Sequence, residues 1–362
     1  MKDYLGTRDR SFLTRRVGSI SQLAGVKRYQ LTDGKAAGVE AVDVKTGSGL
    51  EFTVLPGRGM DLAWASYQGV PLSYISKTGV VSPAYYEAEG LNWLRSFFAG
   101  LLTTCGLSNV GWPVEDEVAP FGSQPLGLHG RISNMAAENV CVEDKWLGED
   151  DYVLRVAGRL RESMLHGENL CLNREIVTGL GMQSLRINDV VTNEGFAPRP
   201  LMILYHINIG YPVLDEGSRF VCNSAAVEPS DAASRASLDQ HTVFGPPVNG
   251  APENVYFHDL TADSDGNTLV GIVNDRLELG VYVKFSKRQL AHLTEWKMMG
   301  EAEYVLGIEP ANCLPGGRVE QRKRGDLESI APGESREFNL EIGVLADREQ
   351  IEAFEAAVAS LG

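Results

Sequence analysis

The sequence predicts an all-β protein, a large antiparallel β-sandwich with a few short helices. Three observations point there. Apolar and polar residues alternate with a period of two along many short runs, Gly- and Pro-containing turns separate those runs, and no strand–helix–strand rhythm interrupts them.

The first clear element is a hairpin. Val42 and Val44 alternate with Asp43 and Lys45; after the turn 46–49, Leu50, Phe52 and Val54 alternate with Glu51 and Thr53. The same period recurs over Tyr152–Leu160 and Leu185–Ile187. Leu277, Leu279, Val281, Val283 and Phe285 mark another strand, as do Phe338, Leu340, Ile342 and Val344. Helices are expected at two places. Leu91–Leu102 has the composition of one. At the C-terminus Asp347 can cap, with Gln350 three residues on and Ile351, Phe354, Val358 and Leu361 on one face. The polar stretch Val227–Asn254 reads as a surface excursion. With no linker, repeat or low-complexity tract, residues 1–362 are expected to form a single domain.

Composition excludes several functions. A net charge of −15 disfavours nucleic acid and anionic membranes as partners. Apolar stretches fall short of the roughly 20 residues a membrane helix needs. The first ten residues carry no hydrophobic core of a signal peptide. Five widely spaced cysteines without a Cys-x-x-Cys suit reduced thiols, so a cytoplasmic location is expected. The oligomeric state is left open, with a homodimer among the options.

Two histidines and a glutamate stand out. Glu309 ends the apolar run Tyr304–Ile308 and precedes Pro310, which favours extended backbone at Glu309. A carboxylate there could act as a base, or pair with an arginine such as Arg318. His206 lies in Leu201-Met-Ile-Leu-Tyr-His, with Asn208 two residues on and therefore on the same strand face. His129 lies in Gly127-Leu-His-Gly-Arg131, where glycines permit close backbone approach to a ligand. Two imidazoles and a carboxylate suffice for proton transfer near neutral pH. They are also a familiar zinc or iron(II) set, but no two share a short ligand motif, so acid–base chemistry without a metal or cofactor is the stronger expectation. His166, His241, His258 and His292 lie in polar or loop contexts and read as surface residues. Arg58 and Asp61, around Gly59, could pair with each other. Aromatic residues beside charges, as in Glu295-Trp296-Lys297 and near Arg95, suit a sugar.

In order along most of the chain, these segments resemble the aldose 1-epimerase (galactose mutarotase-like) superfamily, and more closely a little-characterised bacterial aldose-epimerase-related branch. Gly59-Met60-Asp61 resembles an early family segment, Arg95–Gly106 the segment supplying a substrate-binding arginine, and Leu128-His129-Gly130 the first active-site histidine. His206 resembles the second histidine, and Tyr304–Pro310 the strand ending in the catalytic glutamate. His206 departs from the usual form in reading His-Ile-Asn-Ile-Gly-Tyr-Pro. The resemblance implies a supersandwich with its site in a cleft on one sheet. It implies catalytic roles for Glu309, His206 and His129, with Arg95, Asn208, Asp61, Arg131 and Glu295 toward a sugar. The implied reaction is anomer exchange. A sugar-binding protein without catalysis and an isomerase working through an enediol are the alternatives. Arg58, Arg95, Arg131 and Arg318 lie near the motifs, and convergence of two of them would favour an anionic sugar.

Overall fold

A computed structural model describes residues 5–362. Two antiparallel sheets face each other. The larger runs in the order 25–30, 40–45, 50–55, 61–67, 102–107, 202–209, 303–311, 292–300, 253–260 and 224–229, with the short strand 70–71 beside 61–67. The smaller runs 138–146, 152–163, 169–179, 184–193, 335–345, 279–286, 267–274 and 219–221.

The expected alternation is realised as two differently treated faces. In 184–193, and in 152–163 except at Gly158, every second residue is buried, and the apolar ones meet the larger sheet in one continuous core. The central strand Met202–Ile209 is buried at all eight positions. Ile203, Tyr205, Ile207 and Ile209 enter that core, whereas Met202 and Leu204 join a second cluster with Trp93, Phe97, Cys105 and Ala311 on the outer face. A strand covered on both sides reads as an apolar run, as this one does.

A polar group also joins the sheets. Arg174, fully buried, donates to both carboxylate oxygens of Asp189 on the neighbouring strand, at 2.6–3.2 Å. It reaches across to Thr104 Oγ1 at 2.8 Å and Asp61 Oδ1 at 3.3 Å on the other sheet. Tyr205 completes the group by donating to Asp189 Oδ2 at 2.7 Å.

Three sequence expectations change. Leu91–Leu102 is not a helix: one short turn, Asn92–Arg95, gives way to the strands Ala99–Gly100 and Leu102–Leu107. Ala99 and Gly100 both take positive φ, which breaks helical continuation. The 227–254 stretch is only partly an excursion, because Ser224–Pro229 pairs with Glu253–Leu260 and the helix Ala232–Ala236 follows it. The strand expected from Leu277 begins at Leu279, after a turn in which Glu278 has φ 49°. The C-terminal helix forms at Arg348–Ala359, capped by Asp347 Oδ1 accepting from the Gln350 N–H at 2.9 Å, and it packs on Val273 and Leu345.

Replacing Arg174 would leave two carboxylates buried without their cation, so Arg174→Ala should cost about 3–5 kcal/mol. Arg28→Ala, which removes a surface pair with Glu40, should cost under about 1 kcal/mol. Urea midpoints of both variants check this; equal midpoints would remove Arg174 from the framework.

Candidate functional site

The site grows from strand register. Leu204 pairs with Ala311 and Ile207 with Ile308, so His206 stands opposite Glu309 on the outer face of the larger sheet. The next strand places Thr294 opposite Glu309. One row across the sheet thus carries His206, Glu309 and Thr294 into a cleft of about 510 Å³. His206 Nε2 lies 3.0 Å from Glu309 Oε1, without the alignment of a hydrogen bond.

His129 arrives from a loop. Its backbone is left-handed, φ 55°, held by the Gly106 N–H on its carbonyl at 2.9 Å and by its own N–H on the Gly111 carbonyl at 3.0 Å. A non-glycine residue in that region is strained, and such strain gathers at functional sites. The ring packs on Trp93 at 4.7 Å and faces His206 edge-on at 6.0 Å between centroids. Phe97 and Trp296 enclose His206 at 5.1 and 5.2 Å. Trp296 is held by its indole N–H donating to Glu253 Oε2 at 3.1 Å. Gly307 leaves the room these groups need, since a Cβ there would lie 2.7 Å from Glu309 Oε1 and 3.0 Å from Trp296.

Burial sets the electrostatics. It raises the Glu309 carboxyl well above its usual range, with the Glu253 charge adding to the effect. It lowers the His206 imidazole well below 6.5, helped by His129 and opposed by the neighbouring Asn208 side chain. Burial alone brings His129 down to about 4. Four atoms of this row and its neighbour are buried without a hydrogen-bond partner: His206 Nδ1, Glu309 Oε1, Thr294 Oγ1 and Asn208 Oδ1. Buried polar atoms are normally paired, so such a concentration beside an aromatic wall makes this cleft the candidate ligand site.

The structure gathers some of the sequence candidates and disperses others. His206, Glu309 and His129 line the cleft together. Asn208 is fully buried behind them, its amide donating to the His206 carbonyl at 2.8 Å. Arg95 is exposed outside the cleft and donates to Asn92 Oδ1 at 3.1 Å, because the turn that replaces the expected helix carries it outward. Arg131 is exposed and also outside the cleft. Asp61 points into the core toward Arg174 and not to Arg58, whose guanidinium donates to Ser96 O and Asn134 Oδ1. Glu295 follows Thr294 in the same strand and therefore faces the opposite side, where His241 and His258 meet it. Arg318 pairs with Asp116 and leaves Glu309 free of arginine. His241 and His258 are thus not surface residues; His258 lies on a buried strand face.

Sequence reasoning missed Thr294, Glu253 and Arg324. Alternation with Trp296 was the signal for Thr294. Glu253 and Arg324 come from distant segments and carried none.

The chain belongs to the family described as a domain of unknown function, DUF4432, whose model matches residues 36–344. No curated protein matches the chain. Among solved structures it is similar to an aldose 1-epimerase candidate from Klebsiella pneumoniae, with 29% identity, TM-score 0.86, and coverage of 94% of this chain and 90% of that one. It is similar in fold to a galactose mutarotase-like protein from Clostridium acetobutylicum, at 14% identity and TM-score 0.60, over 89% of this chain and 99% of that one. A galactose 1-epimerase from Lactobacillus acidophilus shares the fold too, at 14% identity and TM-score 0.57, over 89% and 98%. The sandwich is galactose mutarotase-like, as the sequence resemblance implied. No helix among the described residues is long and apolar enough to cross a membrane, and all five cysteines are free.

The Glu253 charge raises the Glu309 carboxyl, so Glu253→Gln should lower the pH at which Glu309 titrates while keeping an acceptor for Trp296. Carboxyl NMR of glutamate-labelled protein reads the shift directly; an unmoved titration would show that burial alone sets it.

Proposed function

We propose that this protein is an aldose 1-epimerase-like isomerase that interconverts the anomers of a neutral sugar. The observation carrying this reading is the facing of His206 and Glu309, 3.0 Å apart, in an aromatic cleft with unpartnered polar atoms. The similarity to the Klebsiella pneumoniae protein supports the same class.

Ring opening needs one proton removed and one supplied. Burial favours the shared proton on Glu309, so reaction runs through the tautomer that carries it on His206: Glu309, as carboxylate, takes the proton of the C1 hydroxyl. His206, as imidazolium, protonates the ring oxygen, and the C1–O5 bond breaks. The aldehyde turns about C1–C2 and closes on its other face, with the two groups reversing roles. Each positioned proton transfer contributes roughly 10²–10⁴-fold. His129 stays neutral because burial brings it down to about 4, so it serves as a hydrogen-bonding group to the ring oxygen or a neighbouring hydroxyl. Trp296 offers its face to the C–H side of the sugar.

The cleft's charges favour a neutral substrate. Asp231, Glu253, Glu320 and Glu309 line it, against Arg324 as the single Lys or Arg among the described residues. Arg58, Arg95, Arg131 and Arg318 do not converge there. A sugar phosphate would meet repulsion with no bidentate arginine to offset it.

Glu309→Gln should abolish catalysed anomer exchange, measured by NMR on a panel of unmodified aldoses and sugar phosphates, while sugar binding persists. A fully active variant would refute the mechanism. Binding without exchange in the wild type would favour a carbohydrate-binding protein, and solvent deuterium appearing on carbon would favour enediol chemistry.

The pair also fixes the shape of the pH profile. Glu309 and His206 must share one proton between them. That state is entered as the lowered imidazole releases a second proton and left as the raised carboxyl releases the last one. Turnover should therefore rise on an acid limb below 6.5, the ordinary histidine value, and fall on an alkaline limb above the ordinary carboxylate range, 4.5. A rate that rises monotonically through both limits would contradict the shared proton.

A further inference from the structure

On the opposite face of the strand that supplies Thr294 and Trp296 to the cleft lies a second cluster. Glu295 Oε2 is 2.9 Å from His241 Nδ1 and 3.1 Å from His258 Nε2. The donor atoms of the three residues all lie within 4.8 Å of one another, the one His/Cys/Asp/Glu group among the described residues that does so. The side chains of Glu295 and His258 are fully buried, and that of His241 is 16% exposed.

We propose that His241, His258 and Glu295 form a binding site for a divalent transition-metal ion of the zinc class. Four features carry the assignment. Zinc bound at about 2.0–2.1 Å by imidazole nitrogen and carboxylate oxygen sets neighbouring donors roughly 3.0–3.4 Å apart, close to the two His–Glu separations here, with the two imidazole nitrogens within 4.8 Å of each other. Second, Glu295 Oε1 is buried with no hydrogen-bond partner, so half of the carboxylate lacks the compensation a buried charge requires. Third, the neighbouring ammonium does not hydrogen-bond to it. Lys297 Nζ donates instead to the carbonyls of Gln240, His241 and Val243, which fixes the segment carrying His241. Fourth, the outer ring nitrogen of His258 has its own partner: Nδ1 lies 2.9 Å from Ser224 Oγ. With an ion bound, an N–H donated there would free Nε2, which otherwise hydrogen-bonds with Glu295 Oε2, as a ligand, the arrangement by which outer hydroxyl and carbonyl groups orient metal-bound histidine.

The remaining coordination position falls to Glu295 Oε1 or to water reaching the cluster past His241, the most exposed of the three. Two imidazoles with a carboxylate suit zinc, cobalt(II), nickel(II) or iron(II) over magnesium or calcium, which prefer all-oxygen shells. The ion would tie the strands 253–260 and 292–300 to the segment around His241 on the core side. It would sit behind the strand face that bears Thr294, apart from the His206–Glu309 pair, so the assignment stands independently of the sugar chemistry.

The test uses the full chain, stripped with chelator and then titrated with zinc or cobalt(II). Expected are close to one equivalent bound by elemental analysis after desalting, a cobalt(II) visible spectrum of low-symmetry nitrogen–oxygen ligation, and a rise of roughly 3–5 °C in thermal midpoint with zinc. Glu295→Gln retains acceptor and shape but removes the charge, and should lose all three responses. His241→Gln, at the rim, supplies the same comparison should Glu295→Gln fail to fold. No stoichiometric uptake by the wild type, or uptake unchanged in the folded variants, would overturn the site and leave a hydrogen-bonded His–Glu–His core cluster.

Discussion

The pairing register of the strands 202–209 and 303–311 is the constraint on which the site depends. A strand side chain has only two directions, so a slip of one residue would exchange the faces. If the strand 202–209 slipped, His206 would enter the apolar core and Tyr205 would face the cleft beside Glu309. Burial of Ile203, Tyr205, Ile207 and Ile209 on one side and of Met202 and Leu204 on the other makes that slip costly. The hydrophobic effect that assembles the sandwich therefore also sets Glu309 opposite His206.

The same alternation explains why polar groups occur on both faces of this sheet without conflict. Each is handled according to what faces it. Arg174, Asp189, Tyr205, Thr104 and the Oδ1 of Asp61 bond to one another between the sheets and hold them together. Glu295 and His258 meet on the core side near its edge. His206, Glu309 and Thr294 retain unpartnered atoms toward the cleft. The framework's polar groups largely bond to one another, and those facing the cleft concentrate unsatisfied atoms in one row. Exposure alone would not separate the two groups, because both lie almost wholly out of solvent.

Local sequence was informative where one strand carries its own message. The period of two over 42–54, 152–160 and 338–344 dictates strands irrespective of their neighbours, and all of them form. The residues flanking His206 and Glu309 marked these groups as polar interruptions of apolar runs. Sequence was misleading where a residue's value comes from what it meets. Arg95, Asp61, Arg131 and Glu295 have the chemistry of sugar ligands, yet their strand face or turn directs them elsewhere. Glu253 and Arg324 enter the cleft from segments with no sign of a site.

By itself, the sequence determined the all-β class, the antiparallel pattern, the capped C-terminal helix and the candidacy of His129, His206 and Glu309. Each is a property of residues close in the chain, where periodicity, capping and backbone preference act. Tertiary structure decided which strands lie side by side, which face of each meets the cleft, and which charges find one another. Those outcomes depend on register and packing between segments as distant as His206 and Glu309, or His241 and Glu295. No short stretch of sequence contains them, because the energy that selects them arises only when the two sheets close on a shared core.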